Sequence, residues 1–243
     1  MGRKTYKHPR RIAIVPARGG SKRLPGKNIR SFYDKPIIAY ILDTARRSEL
    51  FDVIHVSTES PRIIETVERL GFPVDFPRPK ELADDHTPVM PVLKYVLETY
   101  KARGEKFDQV ALLDATAALI DPIDLKGAAA LYDKMRGERP VLSVTSYPVP
   151  VEWAYARQED GGLVPVQPGM FAVRSQDLEM KYYDSGCFAL FPTSWVLNAE
   201  AAGDETNYIG YVLQKHKVVD IDDAEDWVLA EALYKGLQVK DDG

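Results

Sequence analysis

Ile12-Ala13-Ile14-Val15-Pro16-Ala17-Arg18-Gly19-Gly20-Ser21-Lys22-Arg23-Leu24-Pro25-Gly26-Lys27-Asn28 runs from a short apolar segment into a Gly-Gly loop carrying Arg18, Lys22 and Lys27. The apolar part reads as a buried strand, because a bounded run of this length suits a strand with both faces covered. Glycine lets the backbone approach a ligand closely, and successive exposed N–H groups form an anion-binding concavity. Arg18, Lys22 and Lys27, all within ten residues, suit a polyphosphate better than a single carboxylate. The plainer alternative is a solvated turn with basic residues. The loop matches neither common phosphate signature. Lys27 is followed by Asn28 where a P-loop needs Ser or Thr, and the G-x-G-x-x-G dinucleotide pattern is missing.

Downstream of this loop, strand and helix signals alternate. Pro36 opens a helical stretch with Ile37, Ile38, Ile41, Leu42 and Ala45 on one face, proline being favourable in a first turn. Val53 to Ser57 reads as a strand, and Ser60-Pro61 as an N-cap and N1 pair before a helix stopped by Gly71. Val92 to Lys101 is a helix, Gln109 to Leu113 a strand, Ile123 to Lys134 a helix and Val141 to Thr145 a strand. Strands separated by helices pair in parallel through crossovers. The expected fold is therefore α/β: a Rossmann-like, mostly parallel open sheet flanked by helices. Residues from about 148 to 183, rich in Pro, Gly, Tyr and charge, break the rhythm and read as an inserted hairpin and loop turning at Gly161-Gly162. Regularity returns with Gly186 to Phe191, a helix around Trp195, a strand at Lys217 to Ile221 and a helix from Ala224 to Tyr234.

Composition narrows the function. A chain of 243 residues is long enough for one large α/β domain. We expect that domain over 12–235, with a frayed basic extension at 1–11 and a tail at 236–243. A net charge of -4 argues against nucleic acid or an anionic membrane as partner. One cysteine, Cys187, excludes an internal disulfide framework and fits a reducing, cytoplasmic setting. No apolar run approaches the roughly 18 residues of a membrane span, and the head of the chain lacks the apolar core of a secretory signal.

Three further groups carry chemistry. On a strand, Asp220 and Asp222 would face the same side while Ile221 enters the core. Two carboxylates held together repel unless a cation or a proton lies between them. Mg²⁺ prefers one or two carboxylates plus phosphate oxygens. The competing reading is an acidic segment that caps the following helix. Arg174-Ser175-Gln176-Asp177 could grip a carboxylate and read polar groups, or be a solvated loop. Arg78 to Thr87 is a polar loop of the same ambiguity, in which His86 reads best as a hydrogen-bonded loop residue.

Taken in order along the chain, these pieces resemble the acylneuraminate cytidylyltransferase family. The pieces are the opening loop, Val56-Ser57-Thr58, Arg78-Pro79, Leu82-Ala83-Asp84-Asp85-His86-Thr87, Ala115-Thr116-Ala117, Arg174 to Glu179 and Asp220-Ile221-Asp222. The Arg174–Glu179 run points within that family to the branch that activates pseudaminic acid. The resemblance implies that CTP and a nonulosonic acid become the CMP-sugar and pyrophosphate, the anomeric hydroxyl attacking the α-phosphorus in line. It implies that Ala17, Arg18, Gly19, Gly20, Ser21 and Lys22 hold the triphosphate, with Lys27 beside the reacting phosphates. Asn28, Arg78 and Asp85 would be cytidine-side contacts, and Thr116, Arg174 and Gln176 sugar-side contacts. Asp220 and Asp222 would hold Mg²⁺, and the resemblance makes Lys22, Lys27 and Asp222 the catalytic set. A homodimer built partly by the insertion is implied as well. The chain departs from the family pattern in Glu59, where Asp is usual, in Asp114, where relatives carry Tyr or Gln, and in Ala118, which replaces a proline. Sialic, legionaminic or KDO-type sugars remain alternative substrates. A weakened nucleotide-sugar-binding protein on the same fold remains the alternative to an active enzyme.

Overall fold

The apolar run before the Gly-Gly loop becomes the first strand of a six-stranded sheet. The computed structural model describes residues 9–199 and 206–241. Most of the basic extension expected at the head lies outside the described residues, as do 242–243 of the tail. In chain order the elements are β1 (Arg11–Pro16), β2 (Ser31–Phe32), β3 (Lys35–Pro36), α1 (Ile38–Ser48), β4 (Val53–Ser57), α2 (Pro61–Arg69), α3 (Val89–Ala102) and β5 (Gln109–Leu113). Then follow α4 (Pro122–Lys134), β6 (Val141–Ser146), β7 (Tyr155–Arg157), β8 (Leu163–Pro165), β9 (Tyr182–Pro192), α5 (Thr193–Asn198), β10 (Ile209–Val212) and α6 (Ala224–Asp241).

The main sheet has the order β10-β6-β9-β5-β1-β4. β1 pairs in parallel with β4 and β5, and β10 with β6. β9 alone is antiparallel, inserted between β5 and β6. The expected α/β class with a mostly parallel sheet is therefore present. Two antiparallel steps restore direction, so β1, β4, β5, β6 and β10 all end on the same edge. The segment from 147 to 181, with its β7–β8 hairpin, leaves from that edge after β6 and returns to it at β9.

Alternation along β1 assigns each side chain to a layer. Ala13 and Val15 pack with Ile38, Ile41, Ile63, Val67 and Leu125 of α1, α2 and α4. Ile12 and Ile14 pack on the opposite face with Leu93, Val96 and Leu97 of α3 and Val196 of α5. A third cluster of Leu24, Phe32, Ile37, Tyr40, Ile221 and Trp227 seats α6 beside the Gly-Gly loop.

Several boundaries differ from the expectation. β9 begins at Tyr182 rather than near Gly186, so the inserted segment ends earlier. β10, a strand not anticipated, pairs with β6 and packs Tyr211 over Gly127 of α4. Lys217–Ile221 is not a strand. A single 3-10 turn, Lys215–Lys217, leads into an extended stretch without a ladder partner. Its side chains supply the anchors instead: Lys217 Nζ donates to Asp121 at 2.6 Å and Asp124 at 2.7 Å, and Ile221 enters the aromatic cluster. Pro36 pairs in the β2–β3 ribbon just ahead of α1, and α6 continues to Asp241 rather than closing at Tyr234.

Candidate active site

The shared edge of β1, β4 and β5 gathers the residues of interest. In α/β sheets ligands bind outside the carboxyl ends of the parallel strands. Pro16 stands opposite Ser57 in the ladder, and the Ala17 N–H extends the pairing to the Ser57 carbonyl at 2.9 Å. The loop starting at Arg18 is therefore launched from a fixed point. Buried Asn28 donates through Nδ2 to the Arg18 carbonyl at 3.0 Å and closes the loop on itself. Gly19 lies so close to Ser60 that a Cβ there would sit 2.9 Å from the Ser60 Cβ, which only glycine tolerates. Its N–H donates to Glu59 Oε1 at 2.7 Å. Gly20 meets no such neighbour.

Every cation of the loop is met by a carboxylate. Asp85 accepts from Arg18 Nη1 through one oxygen and pairs with Lys22 Nζ at 2.5 Å through the other. Those hydrogen bonds, from Lys22 first and Arg18 second, hold its carboxyl below the usual carboxylate range. On the other side, Asp222 pairs with Arg23 Nη2 at 2.7 Å and Lys27 Nζ at 3.5 Å. Lys27 Nζ also donates to the Ile221 carbonyl. Arg23 did not figure among the expected site residues; its position between Lys22 and Lys27 was the available signal. Asp220 is exposed, yet desolvation by surrounding protein raises its carboxyl, and the charges of Asp222 and Asp114 raise it further against Lys27. The two aspartates are thus one residue apart from a shared anchor, Ile221, although no strand ladder aligns them.

The Arg78–Thr87 segment arches over this loop. Arg78 is buried and donates to Ser57 Oγ at 3.1 Å, to the Ser57 carbonyl and to the Leu82 carbonyl at 3.5 Å. Desolvation pulls its proton affinity down, with Glu59 opposing. Asp84 Oδ1 accepts from the N–H groups of His86 and Thr87 and from the Thr87 hydroxyl, fixing the turn that presents Asp85. His86 thus enters the turn through its backbone.

The expected sugar-side residues are not gathered in one place. Thr116 is buried and bonds through both its N–H, at 2.7 Å, and its hydroxyl to Asp114 Oδ1. Asp114 and Asp184 line a cavity of about 240 Å³ whose walls include Pro16, Val89, Leu112 and Phe188. Arg174 instead pairs with Asp177 of its own turn at 2.8 Å and 3.2 Å. Gln176 lines a different cavity, of about 270 Å³, with Tyr147, Lys181 and Lys215. Among the described residues no group of three or more His, Cys, Asp or Glu stands together as a metal cage. A site with four cations on a glycine loop and two adjacent aspartates suits charge neutralisation on a polyphosphate more than covalent chemistry.

The chain is similar to several known proteins. A family model described as Cytidylyltransferase matches residues 12–146. The pseudaminic acid cytidylyltransferase of Campylobacter jejuni is 33% identical over 226 residues, covering 92% of this chain and 96% of the relative. The CMP-N,N'-diacetyllegionaminic acid synthase of Legionella pneumophila is 30% identical over 228 residues, covering 91% of this chain and 95% of the relative. Among solved structures, CMP:2-keto-3-deoxy-manno-octonic acid synthetase complexed with CTP superposes with a TM-score of 0.67 over 93% of this chain and 99% of that one, at 14% identity. That likeness bears on the fold.

Proposed function

The chain belongs to the cytidylyltransferase family, and on that premise we propose that it joins CTP to a nonulosonic acid, with pseudaminic acid as first choice, forming the CMP-sugar and pyrophosphate. The observation that carries the proposal is the loop with its opposed carboxylates, standing where β1, β4 and β5 end. Similarity to the Campylobacter and Legionella enzymes along almost the whole chain supports the choice of an acidic nine-carbon sugar over other acceptors.

In the proposed reaction the anomeric oxygen forms a bond to the α-phosphorus as the bond to the bridging oxygen breaks, and pyrophosphate carries that electron pair away. The hydroxyl proton passes to solvent. Residues Ala17 to Lys22 would hold the triphosphate, Arg18 and Lys22 turning from Asp85 towards it. Lys27 would move from Asp222 to the reacting phosphates. Asn28, Arg78 and Asp85 would border the cytidine, Asn28 and Arg78 by shaping its walls. Thr116, Arg174 and Gln176 would border the sugar, which requires the 147–181 segment to bring Arg174 and Gln176 inward.

The acidic pair fits a divalent ion. Desolvation by the surrounding protein raises the Asp220 carboxyl first and the charges of Asp222 and Asp114 raise it further, and a cation placed there would relieve that repulsion. Asp220 and Asp222 would hold Mg²⁺, which when bound offsets charge on the phosphates. We also propose a homodimer in the cytoplasm. The 147–181 segment exposes Val149, Tyr155, Leu163, Val164, Val166 and Phe171, an apolar set that a second copy would cover. No helix of the described residues is long and apolar enough to cross a membrane.

Pyrophosphate release with CTP and Mg²⁺ across a panel of pseudaminic, legionaminic, sialic and KDO-type sugars tests the proposal. Turnover with pseudaminic acid above the others is the expected result. Silence with every sugar despite CTP binding would instead favour a nucleotide-sugar-binding protein.

A further inference from the structure

We propose that Glu59 is a positioning residue of the phosphate loop, its carboxylate setting the orientation in which Arg18 and Lys22 meet the triphosphate. The inference rests on the loop's reading as a triphosphate site.

Glu59 follows β4 by two residues, and β4 is paired to β1 residue by residue up to Pro16 and Ser57. Its backbone is therefore fixed relative to the point from which the loop departs. From there Oε1 takes the Gly19 N–H at 2.7 Å, while Ser60 fills the space where a Gly19 side chain would stand. Gly19 is thus held by a bond on one side and by contact on the other. The residues on either side of it, Arg18 and Gly20-Ser21-Lys22, take their direction from that anchor. The second carboxylate oxygen, Oε2, is buried and has no hydrogen-bond partner. Its compensation is the charge of Arg78, whose guanidinium Ser57 and Leu82 hold in place.

A carboxylate beside an anion site has two opposite effects. Its charge repels the incoming phosphates, and its acceptor oxygen orders the loop. A charge-assisted hydrogen bond is roughly twice as strong as a neutral one, so ordering is the effect that a carboxylate supplies best. The same contact occupies the Gly19 N–H, so Gly19 would serve the triphosphate by letting the backbone come close, and the donors would be the N–H groups from Gly20 onward and the cationic side chains.

Two substitutions separate the effects. Glu59→Gln keeps an acceptor at Oε1 and removes the charge; Glu59→Ala removes both. Gly19→Ala perturbs the same anchor from the other side, by forcing the loop off Ser60. CTP affinity is read by calorimetry, KM and kcat by pyrophosphate release, and folding by thermal midpoint. If Glu59 positions the loop, Glu59→Ala weakens CTP binding about tenfold and raises KM alike with kcat little changed, the size expected for losing one hydrogen bond to a charged group. Gly19→Ala moves in the same direction, and Glu59→Gln stays within about threefold of wild type on the same scale. Equal or tighter CTP binding by both Glu59 variants overturns the inference, because charge alone would then be acting. A general loss of thermal midpoint in step with affinity overturns it too, since the residue would then be merely structural. If wild type itself binds no CTP, it is the triphosphate reading that fails, and the inference falls with it.

Discussion

Phe32→Ala is expected to loosen the C-terminal part of the site before it unfolds the chain. Phe32 is fully buried, and the rings of Tyr33, Tyr40, Trp227 and Tyr234 each stand 5.4 Å from it, at interplanar angles of 80°, 89°, 83° and 72°. Edge-to-face pairs contribute about 0.5–1.5 kcal/mol each beyond area burial, but four pairs sharing one ring do not add. Truncating a buried Phe to Ala costs about 3–5 kcal/mol including the cavity, and the density of ring contacts places this one at about 4 kcal/mol. For a chain of this size about 2–4 °C is lost per kcal/mol, so the midpoint should fall by roughly 8–16 °C. The cluster is also what seats α6 and Ile221. Urea titration followed by tryptophan emission and by circular dichroism measures both: Trp227 should become exposed at lower urea than the sheet unfolds. CTP binding measured in the presence of Mg²⁺ should weaken at temperatures where the helical signal is intact. A stability loss below about 1 kcal/mol, less than the lower bound for such a cavity, would refute the argument that this ring holds the helix.

Two further outcomes follow from charged groups. His55 is 1% exposed and stacks on Phe76, and burial pushes its pKa down to about 4, against a weaker opposing effect of Asp75. The folded chain thus keeps it neutral while the unfolded chain protonates it near the ordinary value. Stability should therefore fall as pH drops from about 6.5 to about 4 and the contribution level off below, a loss on the order of 3 kcal/mol. His55→Leu should flatten that slope in pH-dependent urea titrations; an unchanged slope would remove His55 as its source. Asp85→Asn, for its part, removes the chain's own anion from Arg18 and Lys22. Pyrophosphate should bind this variant more tightly than wild type in calorimetry, and weaker binding would show that Asp85 orders the cations rather than competing for them.

Much of the fold was legible because burial leaves a mark on residue type. β4 and β5 match the expected strands residue for residue, since both are apolar runs bounded by turn chemistry. The expected helix at Ile123 starts one residue earlier, at Pro122, because Asp121 accepts from the Ile123 and Asp124 N–H groups and Asp124 reciprocates. The strand expected at Lys217–Ile221 failed for a converse reason. Val218 and Val219 favour a strand, but the sheet position beside β6 is taken by Ile209–Val212, and residues 218–221 pair with no strand. β-propensity describes a side chain that fits a pleated surface, and only the assembled sheet decides whether such a surface is present.

The site divides in the same way. That Arg18, Lys22 and Lys27 stand on a glycine loop after a strand, and that Asp220 and Asp222 flank an apolar anchor, are properties of chain order and spacing, fixed before folding brings anything together. The pairings came from contacts between distant segments. Asp85 lies 67 residues from Arg18, Asp222 lies 195 residues from Lys27, and Glu59 lies 40 residues from Gly19. Sequence by itself determined a cationic glycine loop in an α/β fold, because backbone freedom and charge are local. Tertiary structure alone decided which carboxylates face those cations and which of them anchors the loop, because a charge finds its partner through space and not along the chain.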